Sequence, residues 1–201
     1  MALASYNDLK AAVADHLHRS DLTTPIVDLI TLGEKRIQRE VRTPDMETSY
    51  SGTIAAGVIA VPSDFLEWKL VYIDSSGVKK LTPKDLEWVF TNYPTRSADS
   101  TPKYIARAGS NFEFGPYPDT TYSVKGWYYK RLTTVASSWN ALATANPDLY
   151  LFAALAEARA YVDDLEKVTA WDMKYQNARD YLNAEAKRQD ISGGPLAVTA
   201  R

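Results

Sequence analysis

The chain has 201 residues, with 23 lysines and arginines against 25 aspartates and glutamates and a net charge of −2 at pH 7. That length can bury a core as one domain, or as one domain carrying an insertion, and the charge balance gives no sign of the strongly basic footprint of a dedicated DNA binder. The absence of cysteine excludes a disulfide framework, thiolate metal sites and a cysteine nucleophile.

The opening residues Met1 to Tyr6 lack the basic start and apolar run of a secretion signal. No segment approaches the ~20 apolar residues that cross a bilayer, so a soluble chain is expected. Ser5, followed by Asp8, predicts a first helix with Leu9, Val13 and Leu17 on one face. Thr24 as cap, Pro25 in the first helical position and Asp28 in the first turn predict a second, with Ile26, Ile30, Gly33, Ile37 and Val41 inward and an end at Thr43-Pro44. Gly33 lies in that apolar stripe, where glycine costs roughly 1 kcal/mol relative to alanine. Close approach of a neighbouring backbone would explain it.

From Thr48 the period changes to two. Tyr50–Ile54 and Val58–Val61, joined at Ala55-Ala56-Gly57, read as a β-hairpin. Phe65 to Asp74 follows as a strand with Leu66, Trp68, Leu70 and Tyr72 on one face. Thr82-Pro83-Lys84-Asp85 starts a short helix with Leu86, Val89 and Phe90 turned inward. Tyr104–Arg107, Phe112–Phe114 and Tyr122–Leu132 read as a three-stranded meander, with a turn forced at Gly115-Pro116-Tyr117-Pro118. Trp127, Tyr128 and Tyr129 place aromatics on both faces of the last strand. The outer ring needs cover, either from the short helix or from another subunit.

Asn146-Pro147-Asp148 then opens a stretch without glycine or proline that runs to Ile191, far longer than an average helix of ~12 residues. Leu151, Leu155, Ala158, Val162 and Leu165 share one phase, and Val168, Trp171, Tyr175, Ala178 and Leu182 another. The slip near Glu166 to Thr169, with Thr169 and Asp172 as a helix-start pair, predicts an αα-hairpin. The fold expected is therefore α+β: a helical bundle of four main helices with an antiparallel β-rich insertion and a short helix. The segments are 1–45 (N-terminal helices), 46–145 (insertion), 146–191 (hairpin) and 192–201 (a C-terminal arm).

Groups suited to catalysis are sparse. His16 and His18 project about 200° apart on a helix and cannot share a metal. Asp163 and Lys167 make an ordinary i,i+4 pair. No phosphate-binding glycine loop, nucleophile elbow or metal-spaced cluster occurs, and no cofactor is implied. Glu67 and Glu113 are the nearest approach to a glycosidase-like pair. Lys35, Arg36, Arg39 and Arg42 form the one marked basic stripe. Glu34 and Glu40 dilute it, with Arg36 and Glu40 one turn apart, so it is either a solvated face or a contact for an acidic partner or nucleic acid. Beyond Ser192-Gly193-Gly194-Pro195, Leu196 and Val198 would each contribute about 1.5 to 3 kcal/mol if buried in a partner.

Several landmarks occur in order: Thr31 to Arg42, Met46-Glu47, Val61 to Leu66, Phe112 to Pro118, Trp127-Tyr128-Tyr129, Asn146 to Leu151 with Ala154 to Ala158, and Ser192 to Leu196. Together they resemble the head-to-tail adaptor (connector) proteins of tailed bacteriophages across most of the chain. The resemblance implies a structural virion protein without catalytic residues. It implies a homo-oligomeric ring of twelve copies beneath the portal protein, tail or nozzle proteins below, genomic DNA passing non-specifically through the bore, and no membrane. The protein would be made in the host cytoplasm and reside in the virion neck. Gly193, Gly194, Pro195, Leu196 and Val198 become portal-contact candidates; Trp127, Tyr129, Lys35, Arg39 and Arg42 become subunit- or tail-contact candidates. The rivals are a tail-associated enzyme degrading cell wall or polysaccharide through Glu67 and Glu113, and a module that caps nucleic acid through the Lys35–Arg42 stripe.

Overall fold

The computed structural model describes residues 3–191 apart from Ser20, Ala55, Ser76 and Asp163. The arm candidates Gly193, Gly194, Pro195, Leu196 and Val198, and the Asp163–Lys167 pair, lie outside the described residues. Six α-helices occur among the described residues: α1 (Tyr6–Leu17), α2 (Thr23–Glu40), α3 (Leu86–Asn92), α4 (Ala141–Ala145), α5 (Pro147–Ala156) and α6 (Leu165–Ile191). The strands are β1 (Glu47–Thr53), β2 (Val58–Ala60), β3 (Phe65–Asp74), β4 (Val78–Lys80), β5 (Thr82–Pro83), β6 (Tyr104–Ala108), β7 (Asn111–Gly115) and β8 (Ser123–Lys130). The chain divides into a helical unit, up to Asp45 and from Leu132 onward, and a β unit, Met46–Arg131.

In the helical unit α5 is the centre. Leu149, Leu151, Ala153, Ala154 and Leu155 are all buried, and both α2 and α6 pack on them. A run apolar on every side is what a helix enclosed by neighbours requires. α2 brings Ile26, Ile30 and Ile37, α1 brings Leu9, Val13 and Leu17, and α6 brings Val168, Trp171, Tyr175 and Leu182 to the same core. Gly33 explains how close α2 comes. A Cβ built there would lie 2.9 Å from the Ala154 backbone nitrogen and 3.0 Å from the Ala153 carbonyl carbon, so the close approach read from the sequence is present.

The local signals are partly as expected. Ser5 caps α1, its Oγ accepting from the Asp8 N–H at 3.2 Å while its hydroxyl donates to the Asp8 carboxylate at 2.8 Å. α2 starts at Thr23, two residues earlier than Pro25 in the first position would place it. Leu22 is the N-cap and offers no side-chain bond. Proline is accommodated at the third helical residue because that N–H has no intrahelical partner, and burial of Leu22 draws the chain into the helix sooner. The long C-terminal stretch does break, but before Glu166. A 3-10 segment, Glu157–Tyr161, tightens the chain after α5, and Asp164 caps α6 by accepting from the Glu166 and Lys167 N–H groups at 3.1 and 3.2 Å. Thr169 lies inside α6, its hydroxyl donating to the Leu165 carbonyl at 2.9 Å, and Leu165 is exposed.

The β unit overturns the expected fold class. It is not a minor insertion on a four-helix bundle but two four-stranded sheets, β1-β8-β3-β4 and β2-β7-β6-β5, which share one core. Phe65, Val71, Ile73, Val124 and Tyr128 come from the first sheet; Ile59, Ile105, Phe112 and Phe114 come from the second. Nor is the unit wholly antiparallel, since β5 pairs with β6 in parallel. The expected hairpin does not form. β1 pairs with β8 and β2 with β7, because the turn at Ala56 and Gly57, both with positive φ, carries the chain from one sheet to the other. The expected meander is likewise split: β6 and β7 form a hairpin, but β8 crosses to sit between β1 and β3.

The inward face of β3 also differs. Register shifts between Phe65 and Glu67 and between Trp68 and Leu70 change the alternation, so Phe65, Val71 and Ile73 are buried while Leu70 is exposed. Such a bulge adds one residue and turns the side chains beyond it to the opposite face. Gly126 on β8 allows this: a Cβ there would stand 2.2 Å from the Leu70 carbonyl oxygen. α3 starts three residues after Pro83, which belongs to β5, and only Val89 is buried. Leu86 and Phe90 face outward, because a two-turn helix lying on a sheet can bury just one narrow stripe.

Candidate interaction surfaces

The basic stripe of α2 resolves into three different environments. Arg36 turns toward α6. Its guanidinium pairs with Asp172 at 2.7 Å and Glu40 at 3.3 Å, reaches Glu157 at 3.8 Å and lies 4.3 Å from the Tyr175 ring centroid. Burial works against its charge, but the Asp172 and Glu40 carboxylates outweigh that and raise its pKa. Glu40 also accepts from Arg179 at 2.9 Å and from the Tyr175 hydroxyl at 3.1 Å. Burial alone would raise its pKa, yet these bonds and Arg36 hold it below the usual carboxylate range.

Arg42 closes the end of α2. Its guanidinium donates to the Gln38 and Val41 carbonyls at 2.9 and 2.7 Å, and Asn183 brackets the same end, accepting from the Arg42 N–H and donating to the Glu40 carbonyl, each at 2.9 Å. A cation over the last carbonyls suits the negative end of the helix dipole. Lys35 and Arg39 are exposed and remain on the outer surface with Val27 and Leu32. Glu34, read only as diluting the stripe, is instead buried and accepts from the Val135 N–H at 2.6 Å. Burial pushes its carboxyl pKa up, and that one bond offsets it only in part.

The aromatic strand separates as its alternation demands. Tyr128 enters the core between Tyr50, Phe65 and Trp68, and its hydroxyl donates to Asp64 at 2.9 Å. Burial and that carboxylate push its pKa up to about 12. Trp127 and Tyr129 occupy the outer face. Trp127 lies directly across from Leu70 on β3 and Ser49 on β1, and the neighbouring rows contribute Tyr72, Lys125 and Tyr129. Trp127 is 48% and Leu70 39% exposed. The short helix does not cover them; it packs on β6 and β7. Leu70 was missed as a surface residue because the β3 bulge is not visible in its alternation.

The residues of the rival readings are not brought together. Glu67 lies on β3 of the first sheet and Glu113 on β7 of the second, where Arg96 pairs with it. An apolar hollow of about 330 Å³ beside Phe65, Trp68 and Phe112 is lined by Glu67 but not by Glu113. His16 and His18 are both exposed. The His16 Nδ1 lies 2.8 Å from the Ala12 carbonyl, and His18 ends α1 in the left-handed region. Among the described residues no group of three or more histidines, aspartates or glutamates is arranged to hold a metal, and no helix is long and apolar enough to cross a membrane.

Comparison with known families matches residues 4–199 to the SU10 adaptor protein family. The chain belongs to that family. No curated protein matches it. Membership in the SU10 adaptor family bears out the resemblance to phage head-to-tail adaptors and makes this a bacteriophage structural protein rather than a member of an enzyme family. The match spans both units, so the two-sheet unit is within the region that defines the SU10 adaptors.

Proposed function

We propose that this SU10 adaptor joins the portal vertex of the capsid to the tail, as a ring of twelve copies in the virion neck through which the genome passes. The match over residues 4–199 carries this reading. The surface chemistry is in keeping with it. A passage must let DNA slide, and phosphate neutralisation by many cations would instead grip it; a chain of net charge −2, with Arg36 and Arg42 engaged within its own helical unit, does not build such a grip.

In this reading Gly193, Gly194, Pro195, Leu196 and Val198 reach into the portal, and Trp127, Tyr129, Lys35 and Arg39 face neighbouring subunits or the tail, while Arg42 serves the end of its own helix. A ring of heterologous contacts closes when the rotation between neighbours divides a full turn. A modest contact per neighbour is overcome by association entropy until a template gathers many copies. Sedimentation of the chain alone and with the portal protein of its phage, followed by electron microscopy of the mixture, tests the proposal. A ring bound to the portal is expected. A chain that stays monomeric and unbound in both conditions refutes it.

A further inference from the structure

The helical unit holds a pocket of about 310 Å³ where three of its segments meet. The turn after α2 supplies Thr43 and Asp45, and the joint between α4 and α5 supplies Asn146. α6 supplies Glu185 and Gln189 beside the buried Leu182 and Ala186. The α6 members recur at steps of three and four, so one face of that helix forms a wall.

Four of these side chains have little to do inside the chain. Thr43 is 5% exposed and its Oγ1 has no hydrogen-bond partner among the described residues, although buried polar groups are nearly always paired. Asn146 stands at the N-cap of α5 yet makes no side-chain cap bond, the service for which asparagine is favoured there. Among the described residues Asp45 takes part in no ion pair, and Glu185 only accepts from Gln189 at 3.5 Å. The neighbouring cations are turned elsewhere. Arg42 donates to the Gln38 and Val41 carbonyls at 2.9 and 2.7 Å, and Arg188 to the Ala184 carbonyl at 3.4 Å. Asp148, in the first turn of α5, answers the positive end of that helix. The pocket therefore keeps two unneutralised carboxylates beside apolar side chains.

We propose that this pocket binds an organic cation, a guanidinium or alkylammonium group on a short aliphatic stem. Such a head carries about three to five N–H donors, to be shared among the Asp45 and Glu185 carboxylates, an amide oxygen of Asn146 or Gln189, and the Thr43 hydroxyl. Bonds of this kind to charged acceptors are the strong ones, and the stem suits the walls of Leu182 and Ala186. A bare divalent ion matches less well. Calcium takes about 6 to 8 oxygen ligands at once, and no group of three or more histidines, aspartates or glutamates is arranged for a metal among the described residues. A volume of about 310 Å³ lies at the small end of the range for organic ligands. The cationic head has two sources, a free polyamine or a basic side chain of another protein, and both present the same chemistry.

The test titrates the full chain with n-butylguanidinium chloride, spermidine and calcium chloride, each followed by amide NMR. Saturable shifts at Thr43 to Asp45 and at Leu182 to Gln189 are expected from the organic cations. Glu185→Gln should weaken that binding about tenfold, as loss of a charged hydrogen-bond partner does, and Thr43→Val about fivefold. Because the Thr43 hydroxyl is unpaired in the free chain, Thr43→Val should leave the melting temperature unchanged or higher, which separates a ligand contact from a structural one. Should that variant fail to fold, Glu185→Gln and Asp45→Asn carry the test. Tighter binding of spermidine assigns the site to a free polyamine, and tighter binding of butylguanidinium assigns it to a protein side chain. No saturable binding of either, affinities unmoved by the substitutions, or shifts from calcium alone would overturn the proposal. None of these results depends on ring formation, so the ring reading stands or falls apart from them.

Discussion

Replacing Gly33 by alanine tests the packing on which the helical unit depends. The new methyl would sit 2.9 Å from the Ala154 nitrogen and 3.0 Å from the Ala153 carbonyl carbon. Both are backbone atoms of α5, so no side-chain rotation makes room and the helices must separate. Overfilling a packed core costs typically 1 to 3 kcal/mol, while alanine regains roughly 1 kcal/mol of helix propensity over glycine. Because the atoms that must yield are backbone, the upper part of that range, about 2 to 3 kcal/mol, applies, and the expected net loss is about 1 to 2 kcal/mol. Valine at the same position adds two methyl groups and a stiff β-branch, and should lose more. Urea unfolding followed by circular dichroism measures both, with a lower midpoint at unchanged slope as the signature of lost stability. If Gly33→Ala were as stable as the wild type or more so, propensity alone would govern the site and the close approach of α2 to α5 would be wrong.

Gly126→Ala should be worse, because its Cβ would meet the Leu70 carbonyl oxygen at 2.2 Å; loss of about 2 to 4 kcal/mol and of the Trp127 fluorescence environment is expected, and an unchanged melting curve would contradict the bulge geometry. Asn140→Ala removes a cap that accepts from the Ala143 N–H at 2.9 Å and a donor to the Thr133 carbonyl at 3.0 Å; the melting temperature should fall by an amount matching about 1 to 2 kcal/mol. Glu34 has its carboxyl pKa raised by burial, so the folded state holds the proton more tightly than the unfolded one. Its contribution is fully present below the ordinary carboxylate pKa and declines as pH rises through the raised value. Glu34→Gln keeps an oxygen for the Val135 N–H and should flatten that decline, which stability measured from pH ~4 to ~8 would show; a wild type and variant with parallel pH profiles would refute it.

Six of the eight strands were legible as strands, but their partners were not; β4 was not read at all, and the Thr82-Pro83 of β5 was read as a helix start. Alternation at Tyr50 to Ile54 and at Val58 to Val61 indicates which residues face a core, yet period two carries no information about which neighbour supplies the hydrogen bonds, and the short turn between them suggested the nearest one. The same limit split β8 from β6 and β7. At β3 the bulge reversed the expected face halfway along, and only the register with Gly126 reveals it. α4 was missed because five residues hold too little periodicity to register. In the helical unit the reading was better, since Gly33, the Ser5 cap and the Arg36–Glu40 pair depend on neighbours close in sequence or on one helix face. The candidate surface was half visible: Trp127 and Tyr129 opposite Tyr128 follow from alternation, but Leu70 beside Trp127 required the assembled sheets.

The two-sheet unit leaves and rejoins the helical chain through β1 and β8, which are paired neighbours from Glu47 opposite Tyr129 onward. Residues facing each other across an antiparallel pair have their Cα atoms only about 4.5 to 5.5 Å apart. The two ends of the unit therefore lie side by side, and a linker of a few residues could bridge the gap its removal would leave. Evolution can accordingly lengthen, trade or delete this cassette at a single pair of joints without rethreading the helices.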